Sequence, residues 1–315
     1  MMIKNQHVLV TGGAGYLGSV LCELLLDKGY QVTAVDNLMY RQSPLFHLCH
    51  NLSFNFVFGD VRDEKLMGEL IKGVSVIIPL AAIVGAPACD LDPWMAKSIN
   101  FSAIRLLNKL RSKNQLVIYP TTNSGYGTKS GDVFCTEDTP LNPISLYGRT
   151  KADAESLLLS SKNTIVLRLA TVFGMSPRMR IDLLVNHFVY AAVTDGYIII
   201  FEKDFKRNYI HIRDVANCFI YCIEHAGSMV GRPYNVGLDE ANLSKEELAL
   251  KIKKIVPNFY IHFSEVGSDP DKRNYIVSNE RLRQAGFEAK RSIDDGIVEL
   301  LKGYRMMRHS QFKNI

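Results

Sequence analysis

Tyr147 and Lys151 stand four residues apart in a stretch with helical patterning, so phenol and ammonium share a face. A lysine ammonium near a phenol favours the phenolate. That makes the tyrosine a workable general base near neutral pH. Among 14 tyrosines this is the one Y-x-x-x-K spacing, about what chance delivers, so the pair gains meaning from what precedes it. Upstream, a strand-like run ends in Thr121-Thr122-Asn-Ser-Gly-Tyr-Gly127. The Thr122 hydroxyl would hydrogen-bond a substrate hydroxyl and hold it beside Tyr147.

Thr11-Gly-Gly-Ala-Gly-Tyr-Leu-Gly18 follows a strand and opens a helix, with Gly12, Gly15 and Gly18 in G-x-x-G-x-x-G spacing. Such glycines permit a tight turn and close approach of backbone to a pyrophosphate, and the helix N-terminus supplies N–H donors. Asp36 closes the second strand, where a carboxylate would bind adenosine ribose hydroxyls and repel a 2′-phosphate. The expected cofactor is therefore NAD rather than NADP. Asp60, after the third strand, is placed to accept from the adenine amino group. No metal is expected, because His47, Cys49 and His50 crowd one short segment and cannot close a tetrahedral shell.

The elements that must position these groups alternate. Strands are expected at His7–Thr11, Gln31–Asp36, Phe54–Phe58, Val74–Leu80, Leu116–Thr121 and Ile165–Leu169. Helical periodicity runs through Gly15–Lys28, Pro93–Arg111 and Leu146–Ser160. Apolar strands alternating with helices imply an α/β fold with a doubly wound parallel sheet, the Rossmann arrangement. After about Thr171 the pattern loosens, with helices at Val215–Glu224 and Lys245–Val256. Residues 1–170 are expected to form the NAD-binding domain. Residues 171–315 are expected to form a smaller mixed α/β substrate domain, with some segments returning to the first.

The chain has 315 residues, 47% hydrophobic and 22% charged, with net charge +5. That mild basic excess suits a polyanionic small substrate better than nucleic acid. No apolar run reaches the ~18 residues of a membrane span. Six cysteines without paired spacing read as reduced thiols, and a cytoplasmic location without membrane association is expected.

Taken in this order, the motifs resemble the extended short-chain dehydrogenase/reductase family of nucleotide-sugar epimerases, dehydratases and dehydrogenases. The matching pieces are the glycine loop, Asp36, Gly59-Asp60, Leu80-Ala81-Ala82, Asn100, Thr122 with Tyr126-Gly127, Tyr147 to Lys151, and Arg207 to Val215. The resemblance implies a catalytic trio of Thr122, Tyr147 and Lys151. It implies a cofactor site drawn from Gly12, Gly15, Tyr16, Leu17, Gly18, Asp36, Asn37, Asp60, Val61, Leu80, Ala81, Ala82, Asn100, Tyr147 and Lys151. It implies a substrate site with Thr122, Asn123, Ser124, Thr171, Arg180, Arg207 and Arg273, the last two on a substrate diphosphate. It also implies a homodimer or homotetramer built on helices near 94–112 and 145–160.

Within the family, dehydratases carry an Asp-Glu pair directly after the Thr122 position. Asn123 and Ser124 stand there instead, and neither is a competent acid or base at neutral pH. GDP-sugar 3,5-epimerases and epimerase-reductases carry a cysteine where Ser124 stands. A 4-dehydrogenase and a 4-epimerase remain, and the trio does not separate them. Ile83–Pro87, Asn123–Gly127, Ala170–Arg180 and Asp269–Arg273 are similar to GDP-D-glycero-α-D-manno-heptose 4-dehydrogenases of bacterial capsule pathways. That likeness favours oxidation of a GDP-linked heptose at C4, with a 4-epimerase as the alternative and a non-catalytic dinucleotide-binding protein behind both.

Overall fold

The computed structural model describes residues 6–128, 134–266 and 274–307. In chain order the strands are β1 (His7–Thr11), β2 (Gln31–Asp36), β3 (Phe54–Phe58), β4 (Val76–Pro79), β5 (Leu116–Thr122), β6 (Phe134–Cys135) and β7 (Thr164–Leu169). They continue with β8 (Thr171–Phe173), β9 (Tyr197–Phe201), β10 (Lys206–His211), β11 (Pro233–Val236), β12 (Asn242–Ser244), β13 (Tyr260–Ser264) and β14 (Ile276–Val277). Helices α1 (Tyr16–Asp27), α2 (Glu64–Ile71), α3 (Ala86–Leu91), α4 (Pro93–Lys97), α5 (Ala103–Leu110), α6 (Leu146–Leu159), α7 (Leu184–Thr194) and α8 (Ile212–Glu224) carry most of the packing.

Seven strands form one parallel sheet in the order β11-β7-β5-β4-β1-β2-β3. Period-two alternation sorts its side chains to two faces. Val8, Val10, Val32, Ala34, Ile78 and Ile118 face one apolar layer, covered by α1, α7 and α8. Leu9, Val35, Ile77, Val117, Tyr119 and Val166 face the other, covered by α2, α5 and α6. Both faces are dry except at the edge strand β3, where Phe58 is exposed, which is why the inner strands read as unbroken apolar runs. The chain order reverses between β1 and β4, so a crevice opens at their carboxyl ends.

Two elements depart from expectation. The helix expected over Pro93–Arg111 is three pieces: α4, a π-helical turn at Ser98–Ser102, and α5. Wide turns of this kind re-aim a side chain, here that of Asn100. The seventh sheet strand, β11, begins at a proline and is only four residues long. Its isolated pattern is too short to distinguish from a loop. The later chain also builds β12-β10-β8 and β13-β9, two small sheets beside the main one. No helix among the described residues is long and apolar enough to cross a membrane.

Candidate functional site

The crevice is a cleft of about 290 Å³, walled by the carboxyl ends of the central strands and roofed by the chain from Leu169 to Leu183. Its floor is the glycine loop. Gly15 N–H donates to the Gly12 carbonyl at 3.0 Å, closing the turn before α1. Gly12 has φ +69°, and a side chain there would meet Ala81 N at 2.7 Å. A Cβ on Gly18 would drive into the Gly12 carbonyl oxygen. Glycine at 12 thus serves the close approach of the chain after β4, and at 18 the packing of α1 on the glycine loop, as much as room for a ligand. No side chain caps the N-terminus of α1, so its first N–H groups are left for an anion.

Asp36, at the end of β2, accepts from Ala14 N–H at 3.0 Å and from Leu38 N–H at 2.8 Å. Those bonds fix the carboxylate at the cleft wall. Burial raises its pKa, and the two amides and Arg178 oppose that rise. Asp60 is differently engaged. Arg62 grips it through Nε at 2.8 Å and Nη2 at 2.7 Å, and Asn37 donates at 3.3 Å. The Arg62 bond holds the Asp60 pKa down to about 2. Much of its accepting capacity is therefore already spent, which weakens the expected role on adenine.

At the other end, α6 presents Tyr147 and Lys151 to the cleft. Ser145 caps the helix by accepting from Gly148 N–H at 3.1 Å. Lys151 is buried, and its Nζ lies 4.1 Å from the ring centre of Tyr119 on β5. That contact fixes the amine against β5, one turn of α6 beyond Tyr147. Burial pushes the Lys151 pKa down to about 7, with Glu155 one turn along opposing the drop. A phenolate at Tyr147 would oppose it further. The Thr122 hydroxyl caps the short turn Asn123–Tyr126: it accepts from Ser124 N–H at 3.1 Å and pairs with Ser124 Oγ at 2.8 Å.

Of the expected cofactor residues, Gly12, Gly15, Tyr16, Leu17, Gly18, Asp36, Asn37, Asp60, Val61, Leu80, Ala81, Ala82, Tyr147 and Lys151 all line this one cleft. Asn100 does not. It accepts from Ile83 N–H at 2.8 Å and donates to Ile83 O at 2.9 Å, so it ties down the loop after β4 rather than touching a ligand. Of the expected substrate residues, Thr122, Thr171 and Arg180 line the cleft. Asn123, Ser124 and Arg207 are buried away from its walls, because the turn after Thr122 faces inward and Arg207 sits within β10. Arg273 falls outside the described residues. Sequence reasoning passed over Tyr40 and Arg178, which also line the cleft. The one signal for Arg178 was its place in a Ser-Pro-Arg-Met-Arg run, where Arg180 drew the attention.

These residues fit NAD. The uncapped helix start, the fixed Asp36 carboxylate and the Tyr147–Lys151 pair lie along one cleft. The model of the NAD dependent epimerase/dehydratase family matches residues 8–237. A UDP-glucose 4-epimerase of Mycolicibacterium smegmatis is 28% identical, covering 95% of this chain and 99% of its own. The UDP-glucose epimerase YtcB of Bacillus subtilis is 28% identical, covering 93% of this chain and 96% of its own. Among solved structures, UDP-glucuronic acid 4-epimerase from Bacillus cereus, in complex with UDP-glucuronic acid and NAD, superposes with TM-score 0.84 at 24% identity over 96% of this chain and 99% of that one. A dTDP-glucose 4,6-dehydratase from Bacillus anthracis, with NAD, gives 0.83 at 22% identity over 98% of both. The chain belongs to the NAD dependent epimerase/dehydratase family, and its cofactor is NAD.

Proposed function

We propose that this enzyme is a 4-epimerase of a nucleoside-diphosphate sugar. The observation that carries it is the make-up of the reacting end. Thr122, Tyr147 and Lys151 meet there, while the carboxylates among the described lining residues, Asp36 and Asp60, follow the two strands that lead to the adenosine end. Dehydration needs a further acid and base at the sugar, and this wall offers none. Epimerisation at C4 needs only one base and one reversible oxidant.

In this mechanism Tyr147 takes the proton of the C4 hydroxyl. Lys151, held by the Tyr119 ring, keeps its charge against the developing phenolate. Thr122, steadied by Ser124, orients the same hydroxyl. Bound NAD, held by the glycine loop and Asp36, would supply a reversible hydride acceptor for C4. Between the two transfers the 4-keto sugar turns over so that hydride reaches the opposite face of C4, and Tyr147 returns its proton to the C4 oxygen.

Three of the four proteins compared above are described as UDP-sugar epimerases, the fourth as a dTDP-glucose dehydratase, and none as a GDP-heptose dehydrogenase. That moves the reading from net oxidation to epimerisation and from GDP towards UDP. Net oxidation at C4 of a GDP-heptose is the second reading, favoured by the Ala170–Arg180 run that forms the cleft roof. Proton NMR of UDP-glucose, UDP-galactose, UDP-glucuronic acid and GDP-D-glycero-α-D-manno-heptose with enzyme and NAD tests both. A 4-epimer of a UDP-sugar supports the first reading. A 4-keto product from the GDP-heptose replaces it with the second. No change in any sugar overturns both.

A further inference from the structure

The cleft roof carries two arginines two residues apart, and their surroundings differ. Arg180 is neutralised by Asp182, through Nε at 3.2 Å and Nη2 at 2.5 Å. Arg178 has no such partner. It is 2% exposed, yet neither Nε nor Nη2 has a hydrogen-bond partner among the described residues. Its guanidinium lies 4.2 Å from the ring centre of Tyr40 and opens on the cleft. The nearby Asp36 does not satisfy it, since Asp36 accepts from Ala14 and Leu38 instead. A buried cation left with unmade hydrogen bonds is costly, and such a group is matched by a ligand of opposite charge.

The backbone says where that ligand lies. Arg178 N–H donates to Ser176 Oγ at 3.2 Å. Ser176 Oγ in turn donates to the Tyr16 carbonyl at 2.7 Å and meets Ser19 Oγ at 3.0 Å. Tyr16 and Ser19 belong to the first turn of α1, the uncapped end that attracts phosphate. The roof segment is thus fastened to the glycine loop directly beside that end. Burial and the neighbouring Arg180 both lower the Arg178 pKa, the mark of a cation awaiting an anion.

We infer that Arg178 is a diphosphate ligand for the cofactor: its planar fork, backed by the Tyr40 ring, closes on the diphosphate from the roof while the α1 N-terminus holds it from the floor. The pocket would then grip NAD from both regions of the chain, and release would require the roof to lift. The inference holds whichever sugar the enzyme turns over.

The test is calorimetric titration of the full chain, freed of co-purified dinucleotide, with ADP, adenosine and UDP. Arg178→Met is expected to weaken ADP about 10- to 100-fold, the worth of a charge-assisted pair, and to leave adenosine and UDP within about twofold. Arg178→Lys keeps the charge without the fork and is expected to weaken ADP about three- to tenfold. If Arg178→Met fails to fold, the lysine variant carries the test alone. Unchanged ADP affinity overturns the inference, as does an equal loss for adenosine. A loss for UDP with ADP unaffected also overturns it, because the arginine would then serve the substrate.

Discussion

The floor and the roof of the cleft are held by different forces. The floor is strand ends and a glycine turn, fixed by ladder hydrogen bonds and two apolar layers. The roof, residues 169–183, has only the three-residue β8–β10 ladder and the buried Phe173, Met179 and Ile181, and depends otherwise on a few side chains reaching across the sequence. Tyr16 hydroxyl donates to the Gly174 carbonyl at 2.7 Å, and Asn186 accepts from Gly174 N–H at 3.0 Å and donates to the Arg180 carbonyl at 2.9 Å. Between floor and roof side lies a polar seam. Arg168 on β7 pairs with buried Glu155 on α6 at 2.7 Å and donates to the Tyr126 hydroxyl at 2.9 Å, which donates to Asn235 on β11 at 2.7 Å. The reacting groups sit on the floor, and the part that must fit ligands is positioned in addition by side-chain bonds to α1 and α7. A floor change should therefore strike turnover or folding, whereas a roof change should strike binding.

The sharpest way to break that division is at Tyr147. Tyr147→Phe is expected to lower kcat by about 10³-fold with NAD still bound, read by turnover and nucleotide content. An intact rate would remove the floor from the chemistry. Next is the seam. Glu155→Ala strands the buried Arg168 charge, and denaturant melts should show a loss of about 3–5 kcal/mol. A loss under 1 kcal/mol on the scale of surface pairs would mean the seam is not sealed from water.

A roof change should look different. Asn186→Ala unties Gly174 and Arg180 together, and is expected to cost about 1–3 kcal/mol and raise KM more than it lowers kcat. The reverse split would place the roof in the chemistry. The last comparison is in pH. Lys151 is neutral in the folded apo-protein above about pH 7, whereas in the unfolded chain it stays charged to its ordinary value of 10.5. The unfolded state binds the extra proton, so stability should rise with pH across that window. Lys151→Met should flatten the rise, and an unchanged slope would assign it to other groups.

The same division decides what was legible in the sequence. Gln31–Asp36 falls where its pattern places it because both of its faces are buried, and Phe54–Phe58, half-buried at the sheet edge, announces itself by its aromatic and β-branched residues. The glycine turn and the Tyr147–Lys151 spacing are local too. Asn100 was assigned to the ligand because a one-residue widening of the helix, invisible in composition, aims it at Ile83. Arg207 was assigned to a substrate diphosphate by resemblance, and it lies on β10 in the small sheet, outside the described cleft lining. Arg178 was missed because its place depends on Ser176 meeting Tyr16, 160 residues earlier. Contacts at that separation leave no periodic trace.

The central claim is that one floor removes and restores the same hydride. UDP-glucose carrying deuterium at C4 tests it directly, followed by NMR and by absorbance at the reduced cofactor band. The account predicts a 4-epimer that retains its deuterium at C4, with no accumulation of reduced cofactor. Deuterium lost from the sugar into reduced cofactor, with a 4-keto product remaining, would contradict it and establish net oxidation instead.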